Sequence, residues 1–256
     1  MDGKVALVTG AAGGIGRAVV RALGQRGVRV AAVDCDTEGN VSWAEKCVAD
    51  GLHVTPFTAD VSRPGDVTAV VDEVERRIGP IHFLVNAAGI LRLGAADALT
   101  DDDWTTTLAI NATGVFLVSR AAVARMKTRG AGSIVTVASN AASVPRQGMA
   151  AYAAAKAAAT MFTKCLGLEE ARHGIRCNVV APGSTNTPML RGMWTDENGP
   201  RSTIDGVPDE FRVGIPLRKL AEPADVADAV VFLLSDRAGH ITMHDLTVDG
   251  GAALGV

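Results

Sequence analysis

Tyrosine is almost missing from these 256 residues: Tyr152 stands alone, beside three tryptophans and six phenylalanines. Clustered basic charge is missing too. No Lys/Arg block occurs and the net charge is −3, so nucleic-acid or acidic-membrane binding finds no support. The four cysteines, Cys35, Cys47, Cys165 and Cys177, show neither Cys-x-x-Cys pairing nor zinc-ligand spacing, and read as reduced thiols. His240 and His244 are four apart, but no third ligand accompanies them, so no metal site is expected. No signal-peptide pattern opens the chain, and no uninterrupted apolar run approaches the about 18 residues of a membrane span. These absences together predict a soluble, cytoplasmic protein with neither nucleic-acid nor membrane partners.

What is present is alternation. Strand-like runs at Val5–Thr9, Val28–Asp34, His53–Ala59, Ile81–Asn86, Ser133–Ser139, Arg176–Ala181 and Leu246–Asp249 are separated by helix-compatible stretches. Those stretches lie near 17–26, 38–50, 65–78, 101–128, 150–173 and 223–235. Apolar runs such as Ile-His-Phe-Leu-Val suit strands covered on both faces. The pattern predicts one α/β domain over residues 1–256, a Rossmann-type doubly wound parallel sheet of seven strands. The stretch 183–215 is irregular and rich in Gly and Pro. A loop of that length inside a compact domain reads as a lid, here over 184–212, with helical fragments around 188–194 and 208–212.

The first strand runs into Thr9-Gly10-Ala11-Ala12-Gly13-Gly14-Ile15-Gly16 and then a helix. Small residues there let the backbone approach a pyrophosphate, while the helix start offers free N–H groups. The spacing is Gly-x-x-x-Gly-x-Gly. Asp34, about 20 residues past the glycines, suits the adenosine ribose hydroxyls and would repel a 2′-phosphate. With Cys35 next instead of an arginine, NAD is expected over NADP. Asp60 and Val61 fall near the adenine. Asn86, Ala87 and Gly89 fall at the C-terminal edge of the sheet, where ligands bind in open α/β folds.

Tyr152 and Lys156 share one helical face in AAYAAAKAAA. An ammonium beside a phenol favours the phenolate, so the pair reads as a general base for an alcohol, with a lowered tyrosine pKa. Together with TGAAGGIG, NAAG, Asn111, Ser139 and Pro182-Gly183, in that order along the whole chain, the pair resembles the short-chain dehydrogenase/reductase family. The resemblance implies a catalytic set of Asn111, Ser139, Tyr152 and Lys156. Ser139 holds the substrate oxygen, Tyr152 takes its proton, Lys156 holds the nicotinamide ribose and Asn111 supports a water relay. It also implies cofactor contacts at Pro182, Gly183 and Thr187, and a homotetramer of D₂ symmetry.

A narrower likeness runs through LVNAAGILRLGAADAL, IVTVASNAASVPRQGMAAYAAAKAA, RCNVVAPGSTNTPMLRGMW and GHITMHDLTVDGGAALG. These are similar to the branch of the family acting on dihydroxycyclohexadiene carboxylates in catechol-siderophore pathways. It implies NAD-dependent oxidation of the C3 alcohol of trans-2,3-dihydro-2,3-dihydroxybenzoate to 2,3-dihydroxybenzoate. A carboxylate calls for a cation, and Arg146 lies between Ser139 and Tyr152; Arg92 and Arg191 are rivals. Leu91, Leu93, Met149 and Met189 are candidate walls for a flat ring. Asn140 and Gln147 depart from that branch, where Asp and an apolar residue are usual. Gln147 could accept from an amine, so the second reading is trans-2,3-dihydro-3-hydroxyanthranilate giving 3-hydroxyanthranilate.

Overall fold

The computed structural model describes residues 1–255. Seven parallel strands form one sheet in the order β3-β2-β1-β4-β5-β6-β7. They are β1 (Val5–Thr9), β2 (Arg29–Asp34), β3 (Val54–Thr58), β4 (Ile81–Asn86), β5 (Gly132–Val137), β6 (Ile175–Pro182) and β7 (Asp245–Val248). The order reverses between β1 and β4, which opens a crevice at the strands' C-terminal ends. The expected α/β class and strand count are both met.

Alternate residues of each strand supply two cores. Ala6, Val8, Val30, Ala32, Val85, Val135 and Val180 face α1 (Gly14–Gly24), α2 (Thr37–Ala49) and α9 (Pro223–Leu234). Val5, Leu7, Ala31, Val33, Leu84 and Ile134 face α3 (Pro64–Arg77), α5 (Gly114–Lys127) and α6 (Ala150–Glu170). Leu7, Leu23, Ile81 and Leu84 are fully buried, each contributing about 1.5–3 kcal/mol.

Three elements differ from the sequence reading in ways that shape the site. Helix α1 begins three residues earlier than expected, because the glycines are its first turn. Its N-cap, Gly13, offers no side-chain cap to the open N–H groups. Helix α4 (Asp101–Leu108), opened by the Thr100–Asp103 capping box, runs into α5 through a π-turn at Ala109–Thr113. Within this continuous Asp101–Lys127 helix one window has a mean hydropathy of 1.4, apolar enough for a membrane span. Half of that window is buried inside the fold, where Leu117, Val118, Ala122, Val123 and Met126 pack beneath the sheet. Finally, the irregular stretch contains α7 (Pro188–Arg191), an unexpected α8 (Gly199–Asp205) and a 3₁₀ turn at Pro208–Glu210.

Candidate active site

The glycine loop is packed to the limit that hydrogen side chains allow. A Cβ on Gly16 would lie 1.9 Å from the Gly10 carbonyl oxygen, and one on Gly10 2.6 Å from that of Ala87. A Cβ on Gly14 would strike Thr187 Cγ2 at 2.7 Å. Thr187 itself caps α7, accepting from Leu190 N, so α7 sits directly over the start of α1. Thr9 Oγ1 accepts from both Ala87 N and Ala88 N at 3.1 and 3.2 Å, which locks the end of β4 to β1. A threonine at one strand end beside a second strand end is the sequence signal for this locking role of Thr9.

Asp34 closes the far side of the loop. Its Oδ2 accepts from Ala12 N at 2.9 Å and its Oδ1 from Asp36 N at 3.0 Å. Small residues, uncapped N–H groups at a helix start and a carboxylate at the end of β2 make a cradle that fits a dinucleotide whose ribose is unphosphorylated. Asp60 is held by the Ser62 hydroxyl and N–H and paired with Arg63. The Ser62 hydroxyl draws its carboxyl below the usual range, against a smaller push upward from burial. Val61 packs into the core against Gly114. Asn86 donates to Ser119 Oγ and Thr136 Oγ1 beneath the sheet.

The tetrad named from the sequence converges at the C-terminal ends of β4 and β5. The π-turn presents Asn111, fully buried, whose carboxamide accepts from Ile90 N at 3.0 Å and donates to Ile90 O at 2.9 Å. Such one-turn widenings of a helix are frequent at functional sites. Lys156, on α6, donates to Val137 O at 2.9 Å. Gly89 lies between the two: a Cβ there would meet Asn111 Oδ1 at 2.8 Å and Lys156 Nζ at 3.3 Å. Ser139 Oγ accepts from Ala141 N at 3.1 Å, which leaves its own O–H to donate elsewhere.

The electrostatics correct one expectation. Burial holds Lys156 down at about 8. The Tyr152 phenol is pushed up by burial, and the Ser139 hydroxyl, which draws it down, does not offset this. The expected lowering by lysine is therefore not met here, because the ammonium sits 5.7 Å from the ring centroid and is bound to a carbonyl.

Ser139 and Tyr152 open onto a cavity of about 350 Å³. Leu91, Leu93, Met149, Met189, Leu190 and Met193 supply apolar walls, and Ile15, Pro182, Gly183 and Thr187 join it to the glycine loop. The loops carrying Leu91 and Arg146 are tied together by Gly94 N donating to Gly148 O at 3.0 Å, with Gly148 at φ +70°. Arg146 and Gln147 both line the cavity. Arg146 donates to Ala252 O at 3.4 Å, and burial is the main cause of its lowered pKa.

The rival cations are engaged elsewhere, Arg92 near Asp103 and Arg191 with Asn186 Oδ1. A guanidinium the sequence reading missed, Arg212, lines the cavity instead. Asn140 is also on the wall, but its Nδ2 donates to Asp249 Oδ2 at 3.1 Å, a bond an aspartate at 140 could not donate.

Comparison with known proteins agrees with this geometry. Residues 10–253 match the family model described as Enoyl-(Acyl carrier protein) reductase. The chain is 53% identical over 256 residues to the 2,3-dihydro-2,3-dihydroxybenzoate dehydrogenase of Bacillus subtilis (strain 168), covering 100% of this chain and 98% of that one. It is 41% identical to the Escherichia coli (strain K12) enzyme of the same name, over 99% of this chain and 98% of that one. A Burkholderia cenocepacia J2315 gluconate 5-dehydrogenase in complex with NADP and tartrate superposes with a TM-score of 0.92 at 32% identity, covering 100% of this chain and 97% of that one. With its sheet order, glycine loop and tetrad in register, the chain belongs to the short-chain dehydrogenase/reductase family.

Proposed function

We propose that the protein oxidises the C3 ring alcohol of trans-2,3-dihydro-2,3-dihydroxybenzoate to 2,3-dihydroxybenzoate with NAD⁺, a step of catechol-siderophore synthesis. One observation carries the reading: Tyr152, Ser139 and Arg146 line a single cavity whose other walls are mostly apolar. Relatives with the matching name cover the whole chain. NAD⁺, when bound, supplies the two-electron acceptor for the hydrogen on C3.

In this reading the Ser139 hydroxyl donates to the C3 oxygen, because Ala141 N already occupies one of its acceptor positions. Tyr152 takes the alcohol proton as general base, a role worth about 10²–10⁴-fold in rate. Lys156, pinned by Val137 O, presents a cation that favours the phenolate once the site is filled, and holds the nicotinamide ribose. Asn111, locked to Ile90, supports a water that relays the proton outward. Arg146 grips the carboxylate through its planar fork, and Leu91, Leu93, Met149 and Met189 hold the ring flat. Enolisation of the C3 ketone gives an aromatic product, so the overall step is downhill. Asp34 binds the adenosine ribose hydroxyls; the cradle also takes in Gly10, Gly14, Gly16, Asp60, Val61, Asn86, Ala87 and Gly89.

A second reading rests on Gln147, whose amide on the cavity wall suits a C2 amine and hence trans-2,3-dihydro-3-hydroxyanthranilate. The enzyme acts in the cytoplasm as a D₂ homotetramer on this account. Support for the tetramer comes from Phe116, Met161 and Leu168, exposed on α5 and α6, and from isologous pairing of such faces. The activity test is NADH formation from the diol acid with NAD⁺ and NADP⁺ in parallel. The expected result is turnover at least about tenfold faster with NAD⁺, as a carboxylate facing a 2′-phosphate requires. In Tyr152→Phe, kcat falls by about 10²-fold or more while NAD⁺ binding persists. Full activity in Tyr152→Phe, or no turnover of the acid, would overturn the reading.

A further inference from the structure

The cavity contains a second guanidinium, and the segment that delivers it is built in an unusual way. Residues 206–214 form a one-bridge hairpin in which Val207 N donates to Arg212 O at 2.9 Å and Arg212 N to Val207 O at 3.1 Å. Glycines with positive φ stand at both ends, Gly206 at +93° and Gly214 at +79°. They are packed against each other: a Cβ on Gly206 would lie 2.7 Å from Gly214 N, and one on Gly214 would lie 2.5 Å from Ile204 O. At the tip Phe211 adopts φ +55°, an uncommon conformation for a bulky residue, and is 86% exposed. Val213 is exposed as well. Arg212, between them, turns the opposite way and lines the cavity. A flap that leaves Phe211 and Val213 in water while directing Arg212 inward is organised around the arginine.

The charges point to the ligand. Arg212 pairs with Glu210 at 3.4 Å, a carboxylate that is half exposed. Asp249, a carboxylate that acts on Arg146, is engaged by Gly251 N, Ala253 N and Asn140 Nδ2. The Arg212 charge is felt at Arg146, where, after burial, it is a further cause of the lowered pKa. Two cations that repel each other across one cavity favour an anion between them.

We infer that Arg212 is a second carboxylate-binding residue for the substrate, brought in by the Gly206–Gly214 flap to share with Arg146 the carboxylate that Glu210 mimics in the free enzyme. The inference rests on the reading of the substrate as a ring carboxylate. It assigns the two guanidiniums different origins: Arg146 comes from a loop tied to the fold, Arg212 from a segment hinged at both ends.

The experiment compares the diol acid with its neutral carboxamide in wild type, Arg212→Gln, Arg212→Lys and Glu210→Gln, with NAD⁺ affinity followed separately by tryptophan fluorescence. The expected result is a KM for the acid raised about tenfold or more in Arg212→Gln, the scale of one charged hydrogen bond. The carboxamide KM and the NAD⁺ affinity stay within about twofold, since neither involves that bond. Arg212→Lys restores part of the loss, and Glu210→Gln lowers the KM for the acid by freeing its competitor. An equal change for acid and carboxamide would mean that Arg212 only holds the flap together, and no change for either would remove it from the site; both overturn the inference. A wild-type enzyme that oxidises the carboxamide but not the acid overturns the substrate reading and this inference with it.

Discussion

Lys156 carries a buried charge at the centre of the site. Buried and hydrogen-bonded to one carbonyl, it titrates at about 8 in the fold against 10.5 ordinarily, a gap worth about 3 kcal/mol. Below pH 8 both native and unfolded chains hold the proton, and the native state carries the whole cost of the buried charge. Between 8 and 10.5 the unfolded chain binds the extra proton, so this residue's contribution to stability rises with pH across that window. Lys156→Met removes the charge and leaves Val137 O unpaired, a penalty of about 1–3 kcal/mol that does not depend on pH. Relative to wild type, the variant therefore loses about 3 kcal/mol of its standing between about pH 7 and pH 10, as urea unfolding at both values would measure. A pH-independent difference would contradict the buried cation. The shared face of Tyr152 and Lys156 was legible from their spacing on an alanine helix, whereas Asn111 and Ser139 joined them only through the resemblance to the short-chain dehydrogenase/reductase family. Arg212 was not legible, because an irregular loop carries no periodicity and nothing near residue 212 marks which way a side chain turns.

Among elements, helices with strong local signals were read to within a few residues, as with Thr37–Ala49 and Pro223–Leu234. The π-turn at Ala109–Thr113 was invisible: it depends on Asn111 reaching Ile90, a contact set by tertiary packing. Helix α8 was missed because Gly199 and Pro200 look like breakers, whereas they form its first turn, with Trp194 packed on Gly199. The lid assigned to 184–212 remains a proposal at this scale. Its trypsin sites at Arg191, Arg201 and Arg212 lie on short helices and a hairpin joined to the sheet by few bonds, the low-stability end of a fold. Trypsin is expected to nick this stretch several-fold more slowly with NAD⁺ plus 2,3-dihydroxybenzoate than without ligands, as ordering on binding requires. Equal nicking with and without ligand would count against closure.

At the scale of the whole molecule, the parallel character of the sheet follows from strands covered on both faces. Runs such as Ile81–Val85 already carried that information. The topological reversal between β1 and β4 puts the glycine loop, NAAG and Ser139 along one edge, so residues more than a hundred positions apart become one site. The C-terminal turn at Asp249–Ala253 completes that edge by holding Asn140 and Arg146, a closure that local sequence could not reveal. The most direct measurement of what this assembly does is initial-rate NADH formation from trans-2,3-dihydro-2,3-dihydroxybenzoate and its 2-amino analogue under identical conditions. The account predicts a higher kcat/KM for the diol by about tenfold or more, since an unmatched hydrogen-bonding group discriminates strongly. A preference for the amine would contradict it and make Gln147 the residue that defines the substrate.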